Sequence, residues 1–516
     1  MQLTQGLTRA RSLYGRRVAV TSGDRHFTWD ELVDRIARLA GALRRLGMES
    51  GDRVAMLGEN SHRSIEFYYG PCWGGGVFVP LNPRLSEAEV LAQLRDAEPM
   101  ALILDPALAE RAARFRAEVP SLKAVISAGG DPGPAGALPY EALIAGSAPV
   151  EDARRGGEDL AALFYTGGTT GRAKGVMLSH ANLFVNAMNT LVNARLESPP
   201  TQLHAGPLCH LAAGGRVFTN TLAGGRHVML ARFRPPELLQ LIERERVTGM
   251  SIVPTMIGML LAEPSFATAD LSSLRVVNYG GSPIPEPILS RFMARLPQVD
   301  FGQSYGMTEL SPIATHLTPA DHRRGGKRLR SAGRAVAAAE VEIMDEAGRL
   351  LPPNEVGEVV VRGPIVMQGY WRQPELTRRT LRGGWMHSGD VGFLDEDGYL
   401  FIVDRKKDMV VSGGENVYSI EVEDAIHRHP AVAQCAVIGI PHETWGEAVH
   451  AVVVLRPGHS LDATAVIEHC RLHIAGFKCP RSVELRVEPL PLSGVNKVNK
   501  TLLRAPYWQG RQRGVN

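Results

Sequence analysis

Leu32, Ile36, Leu39, Leu43 and Leu46 follow one another at helical spacing, with polar and charged residues filling the intervals. That 3.6-residue period predicts an amphipathic helix. Thr28 and Glu31 stand before it at the spacing of a capping box, and Gly47 closes it. The runs at 53–57 and 76–80 are short and almost continuously apolar, the pattern of strands buried on both faces. Helical stretches keep alternating with such runs, at 101–104, 123–126, 227–230, 250–253 and 274–278, to about residue 320. This order predicts parallel sheets covered by helices on both faces.

From about residue 331 the period shortens. Segments 341–344, 357–362 and 399–403 alternate apolar and polar positions, with a turn signal at Glu396-Asp397-Gly398. They predict a small antiparallel β unit. Beyond a charged connector at 404–408, the pattern reads helix 419–427, strands 435–440 and 448–455, helix 463–474 and strand 483–487. The expected fold is therefore α/β. A large N-terminal domain, 1–404, holds two parallel-sheet α/β lobes and a small β-barrel, and a small α+β domain follows at 405–516.

Composition narrows the function classes. Of 516 residues 44% are hydrophobic, ample for buried cores, and the net charge of +3 excludes a bulk polyanion binder, so no nucleic-acid partner is expected. Five cysteines, with no C-x-x-C pair, argue against a disulfide framework or a zinc ribbon. The first residues lack the apolar core of a signal peptide. Apolar runs such as 431–440 stop short of a membrane span, and 249–261 is broken by Pro254. A cytoplasmic enzyme without a transmembrane segment, monomer or homodimer, is the expectation.

The strongest local signal is Leu163-Phe-Tyr-Thr-Gly-Gly-Thr-Thr-Gly-Arg-Ala-Lys-Gly175. An apolar strand runs into a loop holding Thr166, Gly167, Gly168, Thr169, Thr170, Gly171 and Lys174. Glycines let backbone N–H groups approach an anion, hydroxyls donate further hydrogen bonds, and the lysine adds a compact charge. That is the chemistry of holding a polyphosphate. The spacing does not match G-x-x-x-x-G-K-[ST], which disfavours an ordinary P-loop NTPase.

With this loop the chain resembles the adenylate-forming superfamily of acyl- and aryl-CoA synthetases, firefly luciferase and peptide-synthetase adenylation domains. Ser304-Tyr-Gly-Met-Thr-Glu309 is similar to that family's aromatic-Gly-x-Thr-Glu signature, and Tyr279-Gly-Gly-Ser-Pro283 to its adenine-site strand end. Ser388-Gly-Asp390 resembles the ribose-binding Gly-Asp, Asp404-Arg405 the hinge-proximal arginine, and Lys497 the late catalytic lysine. The matches run in family order over most of the chain.

The resemblance implies ATP, Mg²⁺ and coenzyme A as cofactors, and a small carboxylic acid joined first to AMP and then to the CoA thiol. It gives Lys497 the α-phosphate and acyl oxygen, Thr166 to Lys174 the β- and γ-phosphates, and Glu309 with Thr170 the Mg²⁺. Gly280, Gly281, Ser282, Ser304, Tyr305, Gly306 and Thr308 would line the adenine side. Asp390 would clamp the ribose hydroxyls with Arg405 beside it. Each has a plainer reading: Glu309 fits a helix N-terminus, Asp390 a turn cap, Arg405 and Lys407 a solvated charge run, and Lys497 a surface shared with Lys500 and Arg504. One departure stands out, Asn496 where many relatives carry Gly; Asn tolerates left-handed backbone better than other side chains. The Asn-Lys-Val run resembles halobenzoate-CoA ligases, which points toward an aromatic acid.

Resemblance also implies a full CoA ligase, with a mobile C-terminal domain that pivots at Lys407 within a hinge at 404–408. Gly413 and Gly414 would then pass the pantetheine arm, and Trp445 would stack on the CoA nucleotide or pack in an interface. His210 sits where relatives keep a gate between acyl pocket and CoA tunnel, and the small run Ala212-Ala-Gly-Gly215 after it suggests a roomy acyl pocket there. Fatty and aromatic monocarboxylic acids both stay open, and Arg216 is the one candidate for reading a second carboxylate. The basic run at 323–330 fits a solvated loop, a CoA phosphate contact or a peripheral membrane contact.

Rival readings exist. Gly302-Gln-Ser-Tyr-Gly306 matches the G-x-S-x-G nucleophile elbow, so an α/β-hydrolase using Ser304 is one alternative. An adenylate-forming relative that does not use CoA is another. A catalytically dead nucleotide sensor is disfavoured because Lys174, Glu309 and Lys497 are all present.

Overall fold

The computed structural model describes residues 1–128, 136–166, 173–194, 199–405, 408–412, 415–443, 445–492 and 498–509. The helix expected after Thr28 spans Trp29–Arg45, and its capping box forms: Thr28 accepts from the Glu31 amide, while Glu31 accepts from the Thr28 amide at 2.7 Å. Leu32, Ile36, Leu39 and Leu43 are fully buried, so the apolar stripe faces the core as its period requires. Arg35 of this helix holds the buried carboxylate of Glu66, with Nε 2.6 Å from Oε1, and Tyr140 donates to the same carboxylate at 2.7 Å. A buried charge is tolerated because it is paired and hydrogen-bonded.

Two large sheets form the body. In the eight-stranded sheet, Val77–Leu81, Arg53–Leu57, Ala101–Leu104 and Ala124–Ser127 run parallel. In the nine-stranded sheet, the parallel set includes Thr201–His204, Gly249–Ile252, Val276–Gly280 and Asp300–Tyr305. The first acquires antiparallel strands toward one edge and the second at both, where Arg25–Thr28 pairs antiparallel with Val18–Ser22. Leu160–Thr166 pairs antiparallel with Lys174–Ser179, and Thr315–Leu317 with Asp300–Tyr305. These edges qualify the purely parallel expectation: a hairpin needs only a short connection, whereas a parallel return needs a crossover.

Where a small barrel was expected, Glu340–Met344, Gly357–Arg362, Leu381–Arg382, Trp385–Leu394 and Leu400–Arg405 form a five-stranded antiparallel sheet, curled as a half-barrel. After it, helices Ser419–His427 and Ala463–Arg471 pack on a second five-stranded sheet centred on Val432–His442 and Gly446–Leu455. This last unit has its own apolar core, drawn from residues between Val410 and Val483. The five cysteines are free thiols. No described helix is long and apolar enough to cross a membrane.

Candidate functional site

The last register pair of the hairpin Leu160–Thr166 and Lys174–Ser179 is Thr166 with Lys174. The two ends of the glycine-rich stretch are thus pinned to each other. Gly167, Gly168, Thr169, Thr170 and Gly171 lie outside the described residues. Lys174 sends its Nζ to 5.4 Å from the ring centre of Tyr370, a cation–π distance. Tyr370 is placed there by the short strand Gly369–Tyr370, which pairs with Val176 and Met177 just beyond the loop. Its hydroxyl donates to Glu309 Oε1 at 2.8 Å. Burial, with the Glu309 carboxylate at its side, drives the Tyr370 phenol far above its ordinary value, so it stays a donor. The structure thereby brings together Lys174 and Glu309, and adds Tyr370, which sequence reasoning missed. Nothing in Gly369-Tyr-Trp371 marks chemistry until the strand pairing is known.

Glu309 sits in a single 3₁₀ turn, Thr308–Leu310, and so is not the N-terminal carboxylate of a helix. Its second oxygen has no protein partner among the described residues, and no cluster of three or more His, Cys, Asp or Glu occurs among them. One free hard oxygen suits a Mg²⁺ ion that takes its other ligands from phosphates and water.

Five residues earlier on the same segment lies the other half of the site. Ser304 of strand Asp300–Tyr305 stands opposite Gly280 of strand Val276–Gly280, at the carboxyl ends of parallel strands, where open α/β sheets bind ligands. A Cβ on Gly280 would lie 2.2 Å from the Ser304 carbonyl oxygen, and one on Gly306 would lie 2.1 Å from the Pro312 carbonyl, so only glycine fits at either position. Gly281, before Ser282, takes φ +83, the left-handed region that favours glycine. Tyr305 donates from its hydroxyl to Asp390 Oδ2 at 2.8 Å, and Asp390 is 4% exposed. Ser388 Oγ accepts the Asp390 amide at 3.0 Å, which orients the Ser388-Gly-Asp390 turn from within. Arg405 pairs with Asp390 through the backbone, so the two residues expected to share a ligand are strand neighbours.

Ser304 is not a nucleophile elbow. It lies inside a strand paired on both sides, with Gly280 and with His316, whereas an elbow needs a sharp strand-to-helix turn. His316 Nδ1 lies 3.2 Å from Ser304 Oγ, but burial, with the Arg216 charge adding to it, holds His316 down to about 4. The hydrolase alternative falls on this geometry.

His210 precedes the helix Leu211–Leu222, and its Nε2 is 3.3 Å from the side-chain amide of Asn82. The small run behind it serves packing rather than a roomy pocket. A Cβ on Gly214 would lie 2.1 Å from the Tyr68 hydroxyl, and one on Gly215 would lie 3.2 Å from Pro312.

In the last unit, Trp445 stacks on His442 at 4.2 Å, with the Arg481 guanidinium 4.7 Å from its ring centre. Ser412 pairs with Gly446, which sets Trp445 beside the strand end that leads to Gly413 and Gly414. Those glycines, Lys407 and Lys497 lie outside the described residues. The flanks of Lys497 are described: Leu492 bridges Val498, and the Asn499 amide donates to the Pro491 carbonyl at 2.8 Å. Lys500 is no surface cation. It is half-buried, with Nζ 2.7 Å from Glu423 and 2.6 Å from Ser419 Oγ. Ser419 also donates through its hydroxyl to the buried carboxylate of Asp404 at 3.1 Å.

The basic run is mostly paired. Arg323 meets Asp300, Lys327 lies 3.5 Å from Asp395, Arg328 3.4 Å from Asp397, and Arg330 3.2 Å from Glu286. A run that already neutralises its own surroundings fits the structural reading better than an anion-binding face.

Comparison with known proteins agrees with this arrangement. The AMP-binding enzyme family matches residues 7–371, and the AMP-binding enzyme C-terminal domain matches 421–497. A feruloyl-CoA synthase of Amycolatopsis is 41% identical over 95% of this chain and 96% of its own length. A medium/long-chain-fatty-acid–CoA ligase, FadD8 of Mycobacterium tuberculosis, is 38% identical over 96% of this chain and 88% of its own. Among solved structures, ATP-bound MatB from Rhodopseudomonas palustris is 33% identical and superposes with a TM-score of 0.89, covering 98% of this chain and 99% of that one.

Proposed function

The chain belongs to the AMP-binding, adenylate-forming enzyme family and is an AMP-forming acid–thiol ligase that uses ATP, Mg²⁺ and coenzyme A; from that premise we propose which residues carry the reaction and what acid it takes. The observation that supports the assignment best is segment 304–309. It joins a polyphosphate-side group, Lys174, Tyr370 and Glu309, to a nucleoside-side group, Tyr305 and Asp390.

In the first half-reaction a carboxylate oxygen bonds to the α-phosphorus of ATP and pyrophosphate leaves. Two anions must meet, so alignment and charge neutralisation dominate. The glycine-rich stretch with Lys174 holds the β- and γ-phosphates. Glu309, oriented by Tyr370, would hold Mg²⁺ together with Thr170, and the ion would supply further neutralisation of the polyphosphate. Asp390 accepts the ribose hydroxyls, with Tyr305 fixing its carboxylate, and the strand ends at Gly280 and Ser304 leave a flat slot for the base. Lys497 neutralises the α-phosphate and the acyl oxygen. In the second half-reaction the CoA sulfur bonds to the acyl carbon and AMP leaves. For this the domain after 404–408 turns about Lys407, and His210 opens the path from the acyl pocket.

The acid is compact and carries a polar group away from its reacting carboxylate, rather than being an unsubstituted long alkyl chain. The cavity beside Ser304 is lined by Asn278, His316 and Arg216, and polar groups at the closed end would be left unpaired by an alkyl tail.

The test is pyrophosphate release with a panel of carboxylic acids, with and without CoA. Release that depends on both Mg²⁺ and acid is the expected result; ADP with orthophosphate would overturn the reading. Within the same assay, Tyr370→Phe removes the donor that fixes Glu309. A hydrogen bond to a charged group contributes about 1.5–3 kcal/mol, so the Mg²⁺ needed for half-maximal release should rise about 10- to 100-fold. An unchanged Mg²⁺ requirement would remove Glu309 from the metal site.

A further inference from the structure

Arg216 lies on the helix Leu211–Leu222, six residues after His210. With Asn278, Gly302, Ser304, Ile313 and His316 it lines a cavity of about 40 Å³. A water needs about 10–15 Å³ on this measure, so the space takes a group of about three heavy atoms, the size of a carboxylate. Among the described residues the Arg216 guanidinium has no hydrogen-bond acceptor and no carboxylate partner, and loss of solvation alone pulls it down to about 10. It is therefore still charged at neutral pH.

Neighbouring groups do not account for this charge. Asp300 also borders the cavity, but its carboxylate is taken by Arg323. His316 is neutral near pH 7 and engaged with Ser304 Oγ at 3.2 Å. The convergence of polar groups depends on Gly302, where a Cβ would lie 2.7 Å from both Asn278 Oδ1 and His316 Cε1. A half-buried cation without a carboxylate partner carries an uncompensated desolvation cost, and a planar guanidinium fork matches a carboxylate in two parallel hydrogen bonds.

We propose that Arg216 receives the second carboxylate of a dicarboxylic acid whose other carboxylate is the one activated. This rests on the ligase reading above and replaces the monocarboxylic acid expected from the sequence. The strand register sets the scale. Asn278 and Gly302 face each other one pleat, two residues, before Gly280 and Ser304, about 7 Å along the strands. A spacer of several atoms, compact or aromatic, must then separate the two carboxylates, not a single methylene.

The experiment is acid-dependent ATP–pyrophosphate exchange by the full chain on matched pairs: terephthalate against its monomethyl ester, and suberate against its monomethyl ester. The diacid of at least one pair should exceed its half-ester in kcat/KM by about 10²–10⁴-fold, as expected when a buried polar site loses its partner. Arg216→Met should lose that advantage and activate the half-ester better than the wild type does, with the ATP KM unchanged. Its thermal midpoint without substrate should not fall, since an unpaired half-buried charge has been removed. Wild-type preference for the half-esters, or a diacid preference that survives Arg216→Met, overturns the proposal and leaves the ligase reading intact. A variant with a lower midpoint that loses both acids equally also overturns it, because Arg216 would then serve the fold. If wild-type protein releases no pyrophosphate with any acid in the wider panel, the ligase reading itself fails.

Discussion

Lys497→Ala is expected to slow acid-dependent pyrophosphate release by about 10²–10⁴-fold, the scale of losing a positioned electrostatic group. Thioester formation from supplied acyl-AMP should be largely spared. The expectation comes from where the lysine is carried. Its loop is closed at the base by the Leu492–Val498 bridge and anchored behind by Lys500, half-buried against Glu423 and Ser419. Separate single-turnover assays of the two half-reactions check this. An equal fall in both would mean that Lys497 serves a step common to them, and the alternation of domains would lose its support.

The second large effect is expected at the hinge. Lys407 lies two residues after Arg405, whose backbone closes the half-barrel sheet against Asp390. Asp404 adds a constraint: its backbone pairs with Val391, while its carboxylate accepts from the Ser419 hydroxyl at the start of the helix Ser419–His427. That bond spans the pivot, so a turn of the last unit about Lys407 must break it while the backbone angles between the half-barrel and the helix change. Proline fixes φ near −65°, so Lys407→Pro should hold one orientation. Acyl-AMP would still form, seen as one equivalent of pyrophosphate in a single turnover, and acyl-CoA production should fall by at least about 100-fold. Gly414→Leu should give the same phenotype through a different cause, a side chain in the pantetheine path. Wild-type rates of acyl-CoA formation in both variants would contradict the hinge and the tunnel together.

Features set by local sequence were readable from it. The Thr28–Glu31 capping box, the buried stripe behind it and the glycine-rich connection after strand Leu160–Thr166 depend on residues within a few positions of one another. What escaped depended on long-range pairing. Tyr370 reaches Glu309 only because Gly369–Tyr370 adds to the edge of the strand Lys174–Ser179. Lys497 and Lys500 look alike in a basic stretch, yet Lys500 is a half-buried anchor, since the pairing of a charge is decided by where its carboxylate partner arrives in space. The G-x-S-x-G match around Ser304 failed for a related reason: its first four residues serve as a plain strand once His316 pairs beside them. The Ala212-Ala-Gly-Gly215 run suggested an open pocket, but it lets the helix pack closely on Tyr68 and Pro312. Arg216, one residue on, carries the charge that the same stretch leaves without a protein partner among the described residues.

Activation through an acyl-adenylate is tested most directly with acid labelled by oxygen-18 in its carboxyl group, incubated with ATP, Mg²⁺, CoA and the full chain. Attack of a carboxylate oxygen on the α-phosphorus, followed by thiol attack at the acyl carbon, leaves one labelled oxygen on AMP and none in pyrophosphate. That transfer, one labelled oxygen in AMP for each acyl-CoA formed, is the predicted result. Label appearing in orthophosphate with ADP as the nucleotide product, or AMP free of label, would contradict the account.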